Sequence, residues 1–310
     1  MPGGGGVRGT SWLMGALHGL VAETGWDPAG SELLVGTSAG AVVAALTASG
    51  AKPWDALAPD RQDLLRALME GATFRVEFRL RSLAPGSLPL VGRALRAGPT
   101  HVMKVLAGVL PEGFVSTDPI IRLMREQGPE RWPVHQRIWV VATDYASGER
   151  VAFGRTGSPS ADLAVAVAAS CAIPGFYRPA EVGGRRYIDG GVYSGANLDL
   201  VVGESLDLVI CLNPLSSAPG AQPSVFWPVR TLLHQQLVPQ MRAVEGTGIR
   251  LVVIEPDGRS IGLIGLNPMS RRQVAEVGVA ASAEVRRYVQ QPAVRRKLAG
   301  LGALASRPQG

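Results

Sequence analysis

The sequence Leu33-Leu34-Val35-Gly36-Thr37-Ser38-Ala39-Gly40-Ala41-Val42-Val43-Ala44-Ala45-Leu46 reads as a strand, a sharp turn and a helix. Leu33 to Val35 form a short apolar run bounded by Ser31 and Gly36, the pattern of a buried strand. Ala39 to Leu46, rich in Ala and Val, predicts a helix. Between them Gly36-Thr37-Ser38-Ala39-Gly40 is a G-x-S-x-G. A serine on such a turn presents its hydroxyl, and the small residues at Gly36 and Gly40 let neighbouring backbone approach closely. The N–H groups opening the helix favour negative charge developing nearby. The bland reading is a glycine-rich turn. The flanking strand and helix make Ser38 the candidate nucleophile.

Upstream, Gly3-Gly4-Gly5-Gly6-Val7-Arg8-Gly9 runs into a helix expected over Thr10 to Glu23, with Trp12, Leu13, Ala16, Leu17, Leu20 and Val21 at helical spacing and Gly25 ending it. Acyl transfer places negative charge on a carbonyl oxygen, and each preorganised N–H that meets it is worth roughly 3–4 kcal/mol. A glycine run tolerates positive φ and can turn several N–H groups toward one point. The rival reading is a nucleotide loop, since Gly4, Gly6 and Gly9 match G-x-G-x-x-G. No strand precedes them and no G-K-[ST] follows, so that match is weak and a phosphate loop of the G-K-[ST] type is excluded. Arg8 either solvates the helix start, pairs with a carboxylate, or fixes the glycine loop. Downstream, Ile188-Asp189-Gly190-Gly191-Val192 places an aspartate at a strand end before two glycines. That is either a plain Asp-Gly turn or a carboxylate held in a tight turn and aimed at a site.

The remaining segments alternate. A helix is expected over Trp54 to Met69. The stretch from Phe74 to Pro111 mixes Arg75, Arg79, Arg81, Arg93, Arg96 and Lys104 with apolar residues and prolines, and reads as an insertion over the core. Thr117-Asp118-Pro119 marks a helix start. Strands are expected at Ile138 to Thr143, Arg150 to Phe153, Arg186 to Ile188, Leu206 to Leu212 and Arg250 to Ile254, and helices at Ala161 to Ala169, Val225 to Val244 and, with basic residues, Ser270 to Leu301. This predicts a three-layer α/β fold with a mainly parallel sheet.

Composition narrows the function classes. Of 310 residues 46% are hydrophobic and 18% charged, enough for a sizeable core and against wholesale disorder. Cys171 and Cys211 form no disulfide framework and have no metal-ligand spacing, so neither metal nor cofactor is expected. No apolar run reaches the ~18 residues of a membrane span, and no signal peptide is visible, so a cytoplasmic location is expected. The net charge of +6 suits an anionic partner. No nucleic-acid motif accompanies it, so the expected partner is lipid, with peripheral contact at an anionic membrane.

Taken in order, these segments resemble the patatin-like phospholipases. Gly4 to Gly9 is similar to the family's G-G-G-x-R-G oxyanion segment, Gly36 to Gly40 to its nucleophile elbow, and Asp189-Gly190-Gly191 to its D-G-[GA] motif. Ala169-Ser170-Cys171-Ala172-Ile173-Pro174-Gly175-Phe176 with Pro179 resembles its A-S-x-A-x-P-x-x-F-x-P stretch, and Val141 to Asp144 with Gly148-Glu149 its strand and turn. The resemblance spans about residues 3 to 215. It implies an α/β/α sandwich of patatin type and a serine acyl hydrolase acting on lipid esters. Ser38 would be the nucleophile and Asp189 the base, with Gly4, Gly5, Gly6 and Ala39 donating to the oxyanion and Arg8, Gly9, Gly36, Gly40, Gly190 and Gly191 supporting them. It implies no cofactor.

Residues 1–215 are then expected to form the catalytic core, with 74–111 a lid or membrane-facing insertion, and 216–310 to complete the same domain. In the family a hydrophobic strand precedes the glycines. Here the chain begins almost at them, which reads as a start assigned late or a truncation. Asp144 is expected to be structural, and Ser170 and Cys171 to pack near the site without acting in it. Two other classes stay open. A Ser-His-Asp esterase of the α/β-hydrolase fold would need a histidine; of His18, His101, His135 and His234, only His234 has the right chain order. A non-catalytic lipid- or nucleotide-binding protein would keep only the motif's shape.

Overall fold

The computed structural model describes residues 6–57, 85–98, 101–134, 137–217, 227–265 and 273–301. Gly3, Gly4 and Gly5, most of the helix expected over Trp54 to Met69, residues 74–84 of the expected insertion and the start of the expected last helical segment lie outside the described residues.

The strand β2 (Arg137–Asp144) is the axis of the fold, buried from Ile138 onward. Its β-branched and aromatic residues suit a strand covered on both faces. Along one edge, β1 (Leu33–Thr37) runs parallel to its first part, pairing Leu33 with Arg137 and Thr37 with Val141. Its last part pairs antiparallel with β5 (Arg185–Asp189), Ala142 opposite Asp189 and Asp144 opposite Tyr187. The other edge is taken over Val140 to Thr143 by β3 (Arg150–Phe153). So β1 and β5 share one edge of β2, and their C-terminal ends face each other at Val141 and Ala142. That junction brings Ser38 and Asp189 together. A hairpin joins β4 (Ala180–Val182) to β5, and β6 (Leu208–Leu212) pairs in parallel with β7 (Arg250–Ile254). Among the described residues the strands form two sheets: β6 and β7 pair in parallel as one, and the other is parallel at β1–β2 and antiparallel where β3, β4 and β5 join.

Alternation along the strands sorts side chains into two cores. Ile138, Val140 and Ala142 face the core formed with α1 (Gly6–Thr24), α2 (Ala39–Ala48), α6 (Leu163–Ser170) and α9 (Val274–Val289). Trp139 and Val141 face the second core with Val35, Val209, Cys211 and Leu251, under α7 (Trp227–Glu245) and the short turn Leu198–Val201. Helices therefore cover both faces, the three-layer α/β/α arrangement that alternating strands and helices predict. The expected first helix begins earlier, at Gly6 rather than Thr10, because Gly6 at φ +62 makes the turn and Arg8 is anchored inside the first turn.

The outer layer is fixed by close backbone approach. A Cβ on Gly15 of α1 would lie 2.0 Å from the carbonyl oxygen of Gly278 in α9. Glycine at both positions lets the two helices touch through their backbones. Ser11 Oγ donates to Val274 O at 2.5 Å along the same seam. The helix α5 (Asp118–Gln127) starts where Thr117-Asp118-Pro119 places it.

Within the expected insertion, α3 (Leu88–Ala97) and α4 (Val102–Val109) pack against each other. They cover a small separate cluster of Leu90, Ala107, Tyr145, Ile188 and Val192. Ser87 Oγ accepts from Leu90 N at 3.3 Å and donates to Tyr145 O at 2.6 Å, fixing the first helix to the turn after β2. In that turn Asp144 accepts from Ala146 N, Ser147 N and Ser147 Oγ and pairs with Arg185 at 3.0 Å. Two short helices, α8 (Gly258–Ile264) and α10 (Pro292–Lys297), flank α9.

Candidate active site

Ser38 follows the last residue of β1 and sits at the N-cap of α2 with φ 55° and ψ −125°. A non-glycine residue held there costs about 1–3 kcal/mol, so its surroundings must over-determine it. They do so through the backbone. Ser38 N donates to Ser170 Oγ at 2.8 Å, and Ser170 Oγ donates to Val141 O at 2.6 Å. Ala41 N closes on Ser38 O at 2.8 Å. A Cβ on Gly36 would lie 2.5 Å from Ala41 Cα and from Gly40 O, so the turn fits only glycine. Ser38 does not use its hydroxyl to cap α2. The hydroxyl lies close enough to Asp189 to lower its carboxyl's pKa against the rise that burial causes.

Asp189 ends β5 and is buried. Its N–H donates to Ala172 O at 2.9 Å, and its carbonyl accepts from Thr143 Oγ1 at 3.2 Å. Its Oδ1 accepts from Gly191 N at 2.7 Å, which turns the carboxylate toward Ser38. A Cβ on Gly190 would lie 2.4 Å from Val141 O, so the glycine lets the chain fold tightly over β2. Burial pushes the Asp189 carboxyl up to about 6, against the opposing effects of the nearby Ser38 side chain and the Gly191 N–H. The neighbouring Cys171 thiol is pushed well above its ordinary value, by burial first and then by the Asp189 charge, so it is a poor nucleophile.

Two residues that sequence reasoning did not single out for these roles hold the pair. Ser170 is the bridge just described, and it joins the elbow to the strand where β1 and β5 meet. Asn197 is fully buried in the left-handed region, φ 50° and ψ 31°. Its side-chain amide faces Ser194 O at 2.7 Å, Thr37 Oγ1 at 3.1 Å and Gly190 O at 3.4 Å. It therefore reaches the residue before Ser38 and the residue after Asp189 with one group. Arg150 Nη1 bonds Asn197 Oδ1 at 3.3 Å, and its guanidinium forms a fork on Asp199 at 2.6 and 2.8 Å. The signal in the sequence was an Asn in a Ser-Gly-Ala-Asn loop just past Asp189, a residue type that tolerates positive φ.

Arg8 is buried, and its Nη1 donates to Leu263 O at 2.9 Å and Ile264 O at 2.8 Å. It thus pins the end of the glycine run to the C-terminus of α8, where a cation suits the free carbonyls. Gly6 and Gly9 lie in the first turns of α1, and Ala39 and Gly40 in the first turn of α2 beside Ser38. His234 Nδ1 bonds Glu255 Oε1 at 2.9 Å, and His18 Nδ1 bonds Ser282 Oγ at 2.8 Å. His101 heads α4, and His135 lies outside the described residues. Among the described residues no histidine is hydrogen-bonded to Ser38 or Asp189, and no group of His, Cys, Asp and Glu has metal-binding geometry. A cavity of about 750 Å³ opens among β7, α9 and α10, and neither Ser38 nor Asp189 lines it.

Comparison with known proteins places the chain in a family. A family model described as patatin-like phospholipase matches residues 3–202. The chain is 29% identical over 231 residues to uncharacterised NTE family proteins of Mycobacterium bovis and Mycobacterium tuberculosis, covering 72% of this chain and 51% of theirs. It spans about half the length of these curated relatives. The family match covers most of the chain, including Ser38, Asp189 and the glycines before α1, and the chain belongs to the patatin-like phospholipase family.

Proposed function

We propose that this protein is a serine acyl hydrolase that cleaves carboxylic esters of lipids through a Ser38–Asp189 dyad. The observation that carries this reading is a serine on a left-handed elbow set beside a buried carboxyl pushed up to about 6. An aspartate near its ordinary value is a weak base at neutral pH. Raising it strengthens the base while leaving it mostly ionised at pH 7.

In this mechanism Ser38 Oγ attacks the ester carbonyl carbon as its proton passes to Asp189. The N–H groups of Gly4 to Gly6 and of Ala39 receive the oxyanion. The tetrahedral intermediate then expels the alcohol, which leaves with the proton from Asp189, and an acyl-Ser38 remains. Water, deprotonated by Asp189, attacks the acyl carbon, and the fatty acid leaves as Ser38 regains its proton. Ser170 and Asn197 act as positioning residues.

The test is fluorophosphonate labelling read by intact mass, with hydrolysis of short- and long-acyl esters alongside, on wild type, Ser38→Ala and Asp189→Ala. One adduct in wild type, lost with turnover in both variants, is the expected result. Turnover that survives Ser38→Ala would sink the reading. His234 pairs with the carboxylate of Glu255. Loss of activity in His234→Ala with full activity in Asp189→Asn would favour a Ser-His-Asp esterase instead.

A further inference from the structure

The helices α3 and α4 turn apolar side chains outward. Leu88 and Leu95, seven residues apart on α3, are 67% and 66% exposed. On α4, Val102, Leu106 and Val109 are 53%, 50% and 55% exposed, and Met103 and Leu110 extend the stripe. The side of α4 that faces the protein carries Ala107 and Gly108. This inverts the usual amphipathic pattern, in which the apolar face is the buried one. Exposed apolar patches of this kind mark interaction surfaces.

Three observations narrow the partner. From Pro85 to Pro111 the sequence contains Arg93, Arg96 and Lys104 and no Asp or Glu, in a chain of net charge +6. Cations beside outward Leu, Val and Met suit an interface of apolar chains under anionic headgroups. A second copy related by a two-fold axis would bring the same three cations face to face. The cluster beneath the hairpin contains Ile188 and Val192, which flank Asp189 in sequence, so the apolar face is built onto the strand end that holds the proposed base. The hairpin is held at Ser87 and by Gly86 N to Leu110 O at 2.9 Å, so it presents a fixed surface.

We infer that the outward face of α3 and α4, with Leu88, Leu95, Val102, Leu106 and Val109 as its apolar anchors, is the surface by which this protein docks on an anionic lipid interface beside Asp189. This rests on the proposed lipid-ester hydrolase, and it adds where such a protein meets its substrate. Docking places esters held in a bilayer at the end of the sheet that carries the dyad.

The experiment uses the full chain with Ser38→Ala, so that binding is read without turnover. Leu95→Cys, Leu106→Cys and Val134→Cys are each labelled with an environment-sensitive fluorophore. Both native cysteines are buried, which directs the label to the introduced site. Val134 is exposed just before β2, at the end of the strand remote from the hairpin. With phosphatidylglycerol vesicles, the expected result is a blue shift at positions 95 and 106 and none at 134, much reduced with phosphatidylcholine. Combined Leu95→Ser, Leu106→Ser and Val109→Ser should lower vesicle partitioning at least about tenfold. The same three changes in the active chain should leave hydrolysis of a water-soluble butyrate ester unchanged. An unchanged emission on adding vesicles overturns the inference. So does an emission already blue-shifted without vesicles, which would mean that residues 58–84 or a second copy cover the face. Vesicle-dependent shifts in a protein without ester turnover would remove the hydrolase reading and leave the docking face standing.

Discussion

Ser170 joins Ser38 N to Val141 O with one hydroxyl, and both of those groups are buried. Ser170→Ala leaves a donor and an acceptor unsatisfied, which costs about 1–3 kcal/mol. Denaturant titration should show that loss, and soluble-ester kinetics should show kcat falling about tenfold or more with KM nearly unchanged, because the elbow loses its tether and the acyl site keeps its walls. At Asp189 the sign follows from its state. Only the ionised carboxylate accepts the serine proton, so kcat/KM for a soluble ester should rise with an apparent pKa near 6 and level off above it. A profile flat from pH 5 to 8 would exclude Asp189 as the base. These residues were not equally legible. G-x-S-x-G and Asp189-Gly190-Gly191 are contiguous, and each glycine answers a steric demand within its own turn, so the sequence displays them. Ser170 reaches Ser38 across 132 residues and Asn197 reaches Thr37 across 160. No local pattern records a bond of that range, and the sequence places Ser170 near the site without giving it a role there.

Among the elements, β1 was legible as a short apolar run and β5 as a short strand running into Asp189, but their meeting end to end was not. Their pairing with a third strand, β2, sets it, and strand register across a sheet is fixed by long-range packing. The α1–α9 seam was hidden for the same reason: Gly15 and Gly278 look like helix-weakening glycines until the helices are seen to touch through them. Gly278→Val puts branched carbons where Ser11 Oγ and the Leu57 side chain already lie, so the helices must separate. The expected result is a loss of roughly 1–3 kcal/mol or more in thermal or chemical unfolding. Gly30→Val, at a position with no atom within 4 Å of a built Cβ, should cost far less. The hairpin of α3 and α4 falls in the stretch that the sequence presents as an insertion over the core. The sequence left that stretch open between a lid and a membrane-facing surface, because periodicity reports a stripe without saying which way it points.

Two buried carboxylates set how the whole molecule responds to pH. Burial pushes Asp189 up from its ordinary value of 3.8 to about 6, and Glu284 from 4.5 to about 7 against the Ser260 hydrogen bond. Both folded-state values lie above the unfolded ones, so between about pH 4 and 7 the folded chain holds more protons than the unfolded chain. Stability therefore falls as pH rises through that window and is level, as far as these two groups go, on either side. Each rise corresponds to about 3 kcal/mol at neutral pH. The Asp189 part is inseparable from the chemistry proposed for it, since the same burial that strengthens the base penalises its charge. The Glu284 part serves a different end: its carboxyl accepts from Asp257 N and Ser260 Oγ at the head of α8, the helix whose far end holds Arg8. Asp189→Asn should thus raise the melting temperature at pH 8 by several degrees and leave it nearly unchanged at pH 4, while abolishing turnover. Glu284→Gln should show the same pH dependence of stability with turnover retained. A melting temperature for Asp189→Asn that shifts equally at pH 4 and pH 8 would mean that the carboxyl is not held in the strained protonation balance on which its role as a base depends.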